Sequence, residues 1–325
     1  MRLARDGERR RAGVTFLSVS SPGDPRAALI AGLMADPPRI ASGHFYDSLG
    51  CKLFEAITEL PEYGLTRAEA ALFAAHGEEL GTEARARLGG AFQLVDLGAG
   101  NCAKAESLLP ALAPSRYVAV DIAEDFLKDS LARVADRHPG LAVAGVGMDF
   151  LHGFRLPAEL ADQPTLFFWP GSSIGNCAPE EALAFLREVR ASVPAAALLL
   201  GADLVRDAAL LEAAYDDAAG VTAAFNRNIL VAVNRALGSD FDPRAFTHRA
   251  CFNAQASRVE MWLTALADQE VSWPGGGRTF RAGTGILTEI STKWTHGGLT
   301  SLLEKAGFPR PRLWQGADFA LVLGG

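Results

Sequence analysis

The sequence predicts an α/β fold: a doubly wound, mostly parallel sheet, with a second, discontinuous α+β domain built from chain on either side of it. Three observations lead there. Residues 92–203 alternate short, continuous apolar runs with segments whose apolar residues recur three and four positions apart, as buried parallel strands alternate with the helices that cover them. The stretch "LVDLGAGNCAK", 94–104, carries an apolar strand through a glycine turn into the start of a helix. Beyond residue 205 the alternation stops, and a long helical stretch and strand-like segments of another kind take its place.

In order, "FQLVDLG", "RYVAVDI", "LAVAGVGMDF", "PTLFFWPGSS" and "AALLLGADLV" read as strands, with "AKAESLLPALA", "EDFLKDSLARVADRH" and "PEEALAFLREVRASV" as helices among them. The stretch "DAALLEAAYDDAAGVTAAFNRNILVAVNRALG" is one long helix or two broken near Gly220, with Asp207 as N-cap and Gly238 as stop. A short helix starts at "DPRAF", where Asp242 caps and Pro243 sits in the first turn. Next, "RVEMWLTALADQEVSW" and "GILTEISTKWT" read as strands separated by the turn "PGGGR", and the tail gives a helix ending at Gly307 and one last strand. The expected division is a helical part, 1–85, packing with an insertion, 205–285, as the second domain, and a sheet core, 86–204, completed by 286–325. Open α/β sheets bind ligands at the carboxyl ends of their strands, and the second domain is expected to close over that edge.

Bulk properties narrow the function. The chain has 325 residues, 49% of them hydrophobic and 21% charged, with a net charge of −7. That balance argues against nucleic-acid or anionic-membrane binding, both of which need clustered positive charge. No apolar run reaches the roughly 18 residues of a membrane span, and the arginine-rich start lacks the apolar core of a secretory signal. A cytoplasmic protein with a flexible N-terminal tail is expected, working as a monomer. Cys51, Cys102, Cys177 and Cys251 lie far apart, as do the six histidines, so free thiols and no metal site are expected.

Gly98 and Gly100 with Ala103 fit the glycine pattern of dinucleotide sites, a weak signal alone. Three acids change its meaning. Asp96 precedes the loop inside the strand end, Asp121 ends the second strand, and Asp149 ends the third, followed by Phe150. One acid can accept both ribose hydroxyls, a second an adenine amino group, and the aromatic ring can pack on the purine. An acid at Asp96 suits a cationic ligand better than a pyrophosphate, and S-adenosylmethionine carries a sulfonium, an ammonium and no phosphate. No Walker loop is present. Lys104 stands in the first helical turn, where it reaches a ligand carboxylate or solvent.

The order acid-x-G-x-G, Asp121, Asp149-Phe150 resembles the core of a class I, Rossmann-like methyltransferase. "FYDSLGCKLFEAITELPEY", "GSSIGN", "LLLGADLV", "YDDAAGVTAAFNRNIL", "VNRAL", "DFD", "VEMWL" and "LTEIS" resemble one branch of it, the L-histidine Nα-methyltransferases of ergothioneine biosynthesis. The resemblance spans residues 45–295. It implies trimethylation of the histidine α-amino group to hercynine, with S-adenosylmethionine as donor. It implies cofactor contacts at Gly98, Lys104, Asp121, Asp149 and Phe150. Asn176 and Tyr215 would hold the substrate carboxylate, and Tyr63, Glu289 and Ser291 would face the imidazole. Tyr46, Phe54, Gly171, Thr222 and Met261 would complete the surroundings of the amine and ring. The chain departs from the family pattern at Gly64-Leu65, where Tyr-Pro is usual, and at Trp169-Pro170.

The chemistry is consistent with these residue types. An α-amino group has a pKa of about 8 in peptides, so part of it is already neutral and no strong base is needed; Tyr46 serves to orient the amine. Small residues around Gly171 let backbone groups approach the reacting nitrogen. Glu289 and Ser291, two apart on a strand, share a face and match the donor and acceptor of a neutral imidazole. Residue type alone leaves alternatives: Asn176 as a helix cap, Tyr215 as a half-buried helix residue, Glu289 facing solvent and Met261 in the core. A tryptophan-type amine substrate, a nicotinamide oxidoreductase and a non-catalytic ligand sensor are the competing functions.

Overall fold

The computed structural model describes residues 14–19 and 24–325. In chain order they form β1 (Val14–Ser18), α1 (Pro25–Met34), α2 (Ser48–Thr58), α3 (Leu65–Leu88), β2 (Gln93–Leu97), α4 (Ala103–Leu112), β3 (Arg116–Asp121), α5 (Glu124–Arg137), β4 (Ala142–Gly147), β5 (Thr165–Trp169), α6 (Pro179–Ala191) and β6 (Ala196–Asp203). Then follow α7 (Ala208–Tyr215), α8 (Val221–Leu237), β7 (Phe246–Asn253), β8 (Arg258–Ala265), β9 (Gln269–Trp273), β10 (Gly276–Phe280), β11 (Gly285–Thr292), α9 (His296–Ala306), β12 (Arg312–Gln315) and β13 (Phe319–Gly324). The chain divides into two units, one of residues 14–19, 67–204 and 294–325, the other of 24–66 and 205–293.

The first unit is built on a sheet of order β1-β4-β3-β2-β5-β6-β13-β12. Pairing is parallel from β1 through β6 and antiparallel at β13 and β12. Strand residues alternate between two apolar layers. Val95, Val118, Phe167 and Leu198 pack with α6 and α9, whereas Leu94, Ala119, Phe168 and Leu199 pack with α3, α4 and α5. Both faces are covered, which is why these strands read as unbroken apolar runs. The chain leaves β2 toward β3 and β4 on one side and returns to β5 and β6 on the other. The carboxyl ends of β2 and β5 therefore flank the topological switch point, where such sheets bind ligands.

The second unit holds a three-stranded antiparallel sheet, β11-β8-β7, the hairpin β9-β10, and helices α1, α2, α7 and α8 around one apolar cluster. The Asp207 carboxylate caps α7 by accepting from the Ala209 and Leu210 amides, and Gly238 ends α8 in the left-handed conformation. Asp47 caps α2 and accepts from Asn228 Nδ2 at 2.8 Å and Arg235 Nη1 at 2.7 Å, which ties α2 to α8.

Several expectations are corrected. Residues 14–18 form β1, a parallel edge strand beside β4, rather than part of a tail; the remainder of that tail, 1–13 and 20–23, lies outside the described residues. The unit boundary falls at 66/67 rather than 85, because α3 buries Leu72, Phe73, Leu80 and Leu88 on the large sheet. The insertion runs to 293 rather than 285, because β11 pairs with β8. Of the glycine-rich stretch 274–278, read as a turn, only Pro274 and Gly275 form the turn of the β9-β10 hairpin, and Gly276, Gly277 and Arg278 belong to β10. The strands β7, β10 and β12 were not expected. The long helical stretch is two helices, and the tail carries two strands after α9.

Candidate active site

Gly98, Lys104, Asp121, Asp149, Phe150, Gly171 and Asn176 belong to the first unit, at or just after strand carboxyl ends. Gly98 follows β2 with φ +74°, and a Cβ there would lie 3.7 Å from the Phe150 ring. Asp121 accepts from the Gly100 amide at 2.8 Å through one oxygen and from the Ala123 amide at 2.9 Å through the other. Each oxygen keeps a second lone pair for a ligand hydroxyl. Burial pushes the Asp121 carboxyl upward, and the two amide bonds counter it. Asp149 follows β4 and is half-buried, and the Phe150 ring packs 5.5 Å from Phe185.

Asp96 is fully enclosed. Its Oδ2 accepts from the Tyr117 hydroxyl at 2.8 Å, whereas Oδ1 is buried and accepts no hydrogen bond. Burial raises this carboxyl to about 7, and the neighbouring Asp121 charge adds to the rise. An orphaned, electron-rich oxygen beside the glycine turn fits a ligand carrying a cationic donor. A pH dependence follows. The folded state keeps a proton that the unfolded chain, with a carboxyl near 3.8, releases. Ligand-free protein therefore loses stability as pH rises from about 4 to about 7, by at most about 4 kcal/mol, and no further above that range. Asp96→Asn removes this slope, so the melting-temperature gap between variant and parent, measured by calorimetry, is expected to widen in the variant's favour up to about pH 7. A constant gap contradicts the burial of an ionisable Asp96.

Glu69, on α3, is a functional candidate that sequence reasoning missed. It is 1% exposed; its Oε1 accepts from the Gly171 amide at 2.7 Å and its Oε2 pairs with Lys104 Nζ at 2.7 Å. One buried carboxylate thus ties the loop after β5 to the first turn of α4. Gly171 adopts φ +75°, and a Cβ there would meet Lys104 Nζ at 2.6 Å. A side chain at 171 is strained by that φ and displaces the mobile end of Lys104 from its place beside Glu69. Asn176 ends a 3-10 turn, Ser173–Asn176, and does not cap α6; the N-cap is Ala178, whose amide donates to Glu181.

Tyr46, Phe54, Tyr63, Tyr215, Thr222, Met261, Glu289 and Ser291 belong to the second unit. Asn176 and Tyr215, assigned jointly to one carboxylate by the resemblance, therefore stand on different units. The aromatic residues form a chain of edge-on contacts: Tyr46 to Phe54 at 6.0 Å, Phe54 to Tyr63 at 6.3 Å, and Tyr63 to Tyr215 at 6.2 Å. Thr222, buried, opens α8 with its amide donating to Asp217. His248, also unforeseen, accepts from Asn226 Nδ2 through Nδ1 and donates from Nε2 to the Tyr215 carbonyl, which secures the end of α7. Burial lowers its pKa, in keeping with this neutral form.

A bulge between Leu287 and Glu289 sets the β11 register. It inserts Thr288, whose hydroxyl donates to the Met261 carbonyl, and brings Glu289 directly opposite Met261. Bulges of this kind re-aim side chains near functional sites. Glu289 is half-buried rather than solvent-facing; burial raises its carboxyl to about 7, and the Lys293 charge acts against the rise. Met261, 2% exposed, is core and cross-strand neighbour at once. Ser291 and Lys293 are buried, and Tyr215, Ser291 and Lys293 hydrogen-bond to one another within 2.9 Å. Lys293 was missed, although the spacing 289, 291, 293 continues one strand face. Cys102 and Cys177 are buried with thiols pushed up to about 12, so neither is a nucleophile near neutral pH. Among the described residues no cluster of three His, Cys, Asp or Glu could hold a metal, and no helix is long and apolar enough to cross a membrane.

Residues 25–324 match the model of a family described as histidine-specific, SAM-dependent methyltransferases. The histidine N-alpha-methyltransferase of Mycolicibacterium smegmatis is 38% identical over 302 residues, 90% of this chain and 92% of that protein. The Mycobacterium tuberculosis protein of the same name is 38% identical over 311 residues, 92% and 94% of the two chains. Ergothioneine biosynthesis protein 1 of Neurospora crassa is 31% identical over 302 residues, 88% of this chain and 33% of the larger fungal protein. Among solved structures, an S-adenosylmethionine-dependent methyltransferase from Clostridium acetobutylicum aligns over 84% of this chain and 99% of its own, with 12% identity and a TM-score of 0.47.

Proposed function

Since the chain belongs to the histidine-specific, S-adenosylmethionine-dependent methyltransferases, we propose that it methylates the α-amino group of L-histidine three times, giving hercynine. The first unit is the donor-binding unit and the second the substrate-binding unit. One feature carries the choice of histidine: the carboxyl of Glu289, set opposite Met261 on the face that also bears Ser291. A carboxylate accepts from an imidazole N–H, a serine hydroxyl serves the other ring nitrogen directly or through water, and the thioether fills the space beside the ring. An indole offers no ring acceptor to such a face. The net charge of −7 supports a small zwitterion over nucleic acid or an anionic membrane.

S-adenosylmethionine, when bound, supplies an electrophilic methyl group on a sulfonium. Asp121 accepts from the ribose, Asp149 from the adenine amino group, and Phe150 packs on the purine. Asp96 Oδ1, buried without a donor, suits the ammonium end, and Lys104, held by Glu69, suits the carboxylate end. Tyr215 donates to the substrate carboxylate, and Tyr46 orients the amine. Alignment supplies much of the rate of such a displacement, and desolvation favours the neutral amine. The aromatic rings of Tyr46 and Phe54 suit the trimethylammonium that results. Mass spectrometry tests the assignment after incubation with the donor and a panel of amino acids. Histidine alone is expected to gain one, two and three methyl groups; methylated tryptophan with unchanged histidine overturns it.

A further inference from the structure

We propose that Glu69 governs the exchange of donor and product: its buried carboxylate holds part of the Lys104 charge back from the carboxylate that S-adenosylmethionine and S-adenosylhomocysteine share. This rests on the assignment of Lys104 to that ligand carboxylate and adds to the donor-binding unit a residue that loosens its grip. Glu69 is 1% exposed, and its Oε1 accepts from the Gly171 amide at 2.7 Å. Bare backbone makes room for it on another side, since a Cβ at Gly201, on β6, would lie 2.5 Å from the same oxygen. The carboxylate, carried on α3, is thus set between β6 and the loop after β5. Its other oxygen stands 2.7 Å from Lys104 Nζ, and the lysine side chain is 36% exposed. The anion of this pair is fixed and dry; the cation ends a flexible stem that reaches the surface.

Withdrawing Lys104 would leave a buried carboxylate without its counter-charge, which is costly. The ammonium therefore stays beside Glu69 when a ligand enters. It carries three donors, so an incoming carboxylate meets it as the second anion on one cation, against the charge of the first. The place of that encounter is the amino-acid end of the donor. The Asp96 carboxyl, which suits the ligand ammonium, feels both charges of the pair, Lys104 drawing it down and Glu69 pushing it up. A restrained hold on the carboxylate suits the proposed reaction. Each methyl group consumes one donor, so product leaves and fresh donor enters in every round on the same substrate, and differences in affinity are expressed mainly in the rate of leaving.

The test compares S-adenosylhomocysteine with its decarboxylated form by calorimetry on the parent, on Glu69→Gln and on Glu69→Gln with Lys104→Met. Glutamine keeps an acceptor for the Gly171 amide and removes the anion beside Lys104. Glu69→Gln is expected to bind S-adenosylhomocysteine about tenfold tighter and to release it about tenfold more slowly in a radiolabel chase, with affinity for the decarboxylated compound within about twofold of the parent's. The double variant is expected to bind both compounds alike. A purely structural part for Glu69 would instead weaken both compounds together. Glu69→Asp, which draws the carboxylate back from Lys104 by one methylene, is expected to shift affinity in the same direction and serves where Glu69→Gln does not fold. Unchanged or weaker binding of S-adenosylhomocysteine by these variants, where the parent prefers the compound with the carboxylate, overturns the proposal alone. A parent that binds both compounds equally overturns the assignment of Lys104 as well.

Discussion

Asp121→Ala is expected to weaken S-adenosylhomocysteine binding by about a hundredfold, close to 2.7 kcal/mol, in a calorimetric titration. The size follows from two losses at once. The carboxylate's spare lone pairs no longer meet the ribose hydroxyls, and charge-assisted bonds of this kind are the strong ones. Its other lone pairs also hold the Gly100 and Ala123 amides, so the glycine turn loses its anchor. Asp121→Asn separates the contributions. An amide has only one acceptor oxygen, so one of the two backbone donors faces an NH2 group, and the loss is expected to lie between parent and alanine variant. An affinity within threefold of the parent for Asp121→Ala would contradict the placement of the donor at this strand end.

Glu289→Ala is expected to lower kcat/KM for histidine at least tenfold, about 1.4 kcal/mol or more. Its pH dependence distinguishes a recognition role from a packing role. With the parent carboxyl near 7 in the ligand-free protein, acidification protonates it and replaces an acceptor by a donor facing the imidazole. The parent's advantage over Glu289→Ala is therefore expected to shrink as pH falls below about 7 and to level off above it. A ratio that stays constant across that range would mean that Glu289 does not meet the ring in its ionised form.

What was legible in the sequence follows from where its signals lie. The strand-turn-helix at 94–104 and the acid ending β3 were legible because backbone geometry demands glycine at a left-handed turn, and an acid there stands out against an apolar run. The shared face of Glu289 and Ser291 was legible from strand periodicity, which extends to Lys293 without interruption. Glu69 was not: within "LTRAEAALF" it looks like any helix-surface glutamate, and only the fold brings it to the Gly171 amide and Lys104. His248 and Asn226 were hidden for the same reason, since their bonds join α7, α8, β7 and β8. The strands β1 and β12 lie at sheet edges and are short, so their apolar patterns are weak. The boundary at 66/67 escaped because α3 has a mixed surface, and helix periodicity does not say which unit a helix covers.

The central claim is that the methyl group goes to the α-nitrogen of free histidine. Nuclear magnetic resonance of the product made from methyl-labelled S-adenosylmethionine reads this directly. The result expected is label accumulating in a single trimethylammonium signal coupled to the histidine α-proton. Label on the imidazole ring, or none on histidine while another amino acid takes it up, would contradict the claim.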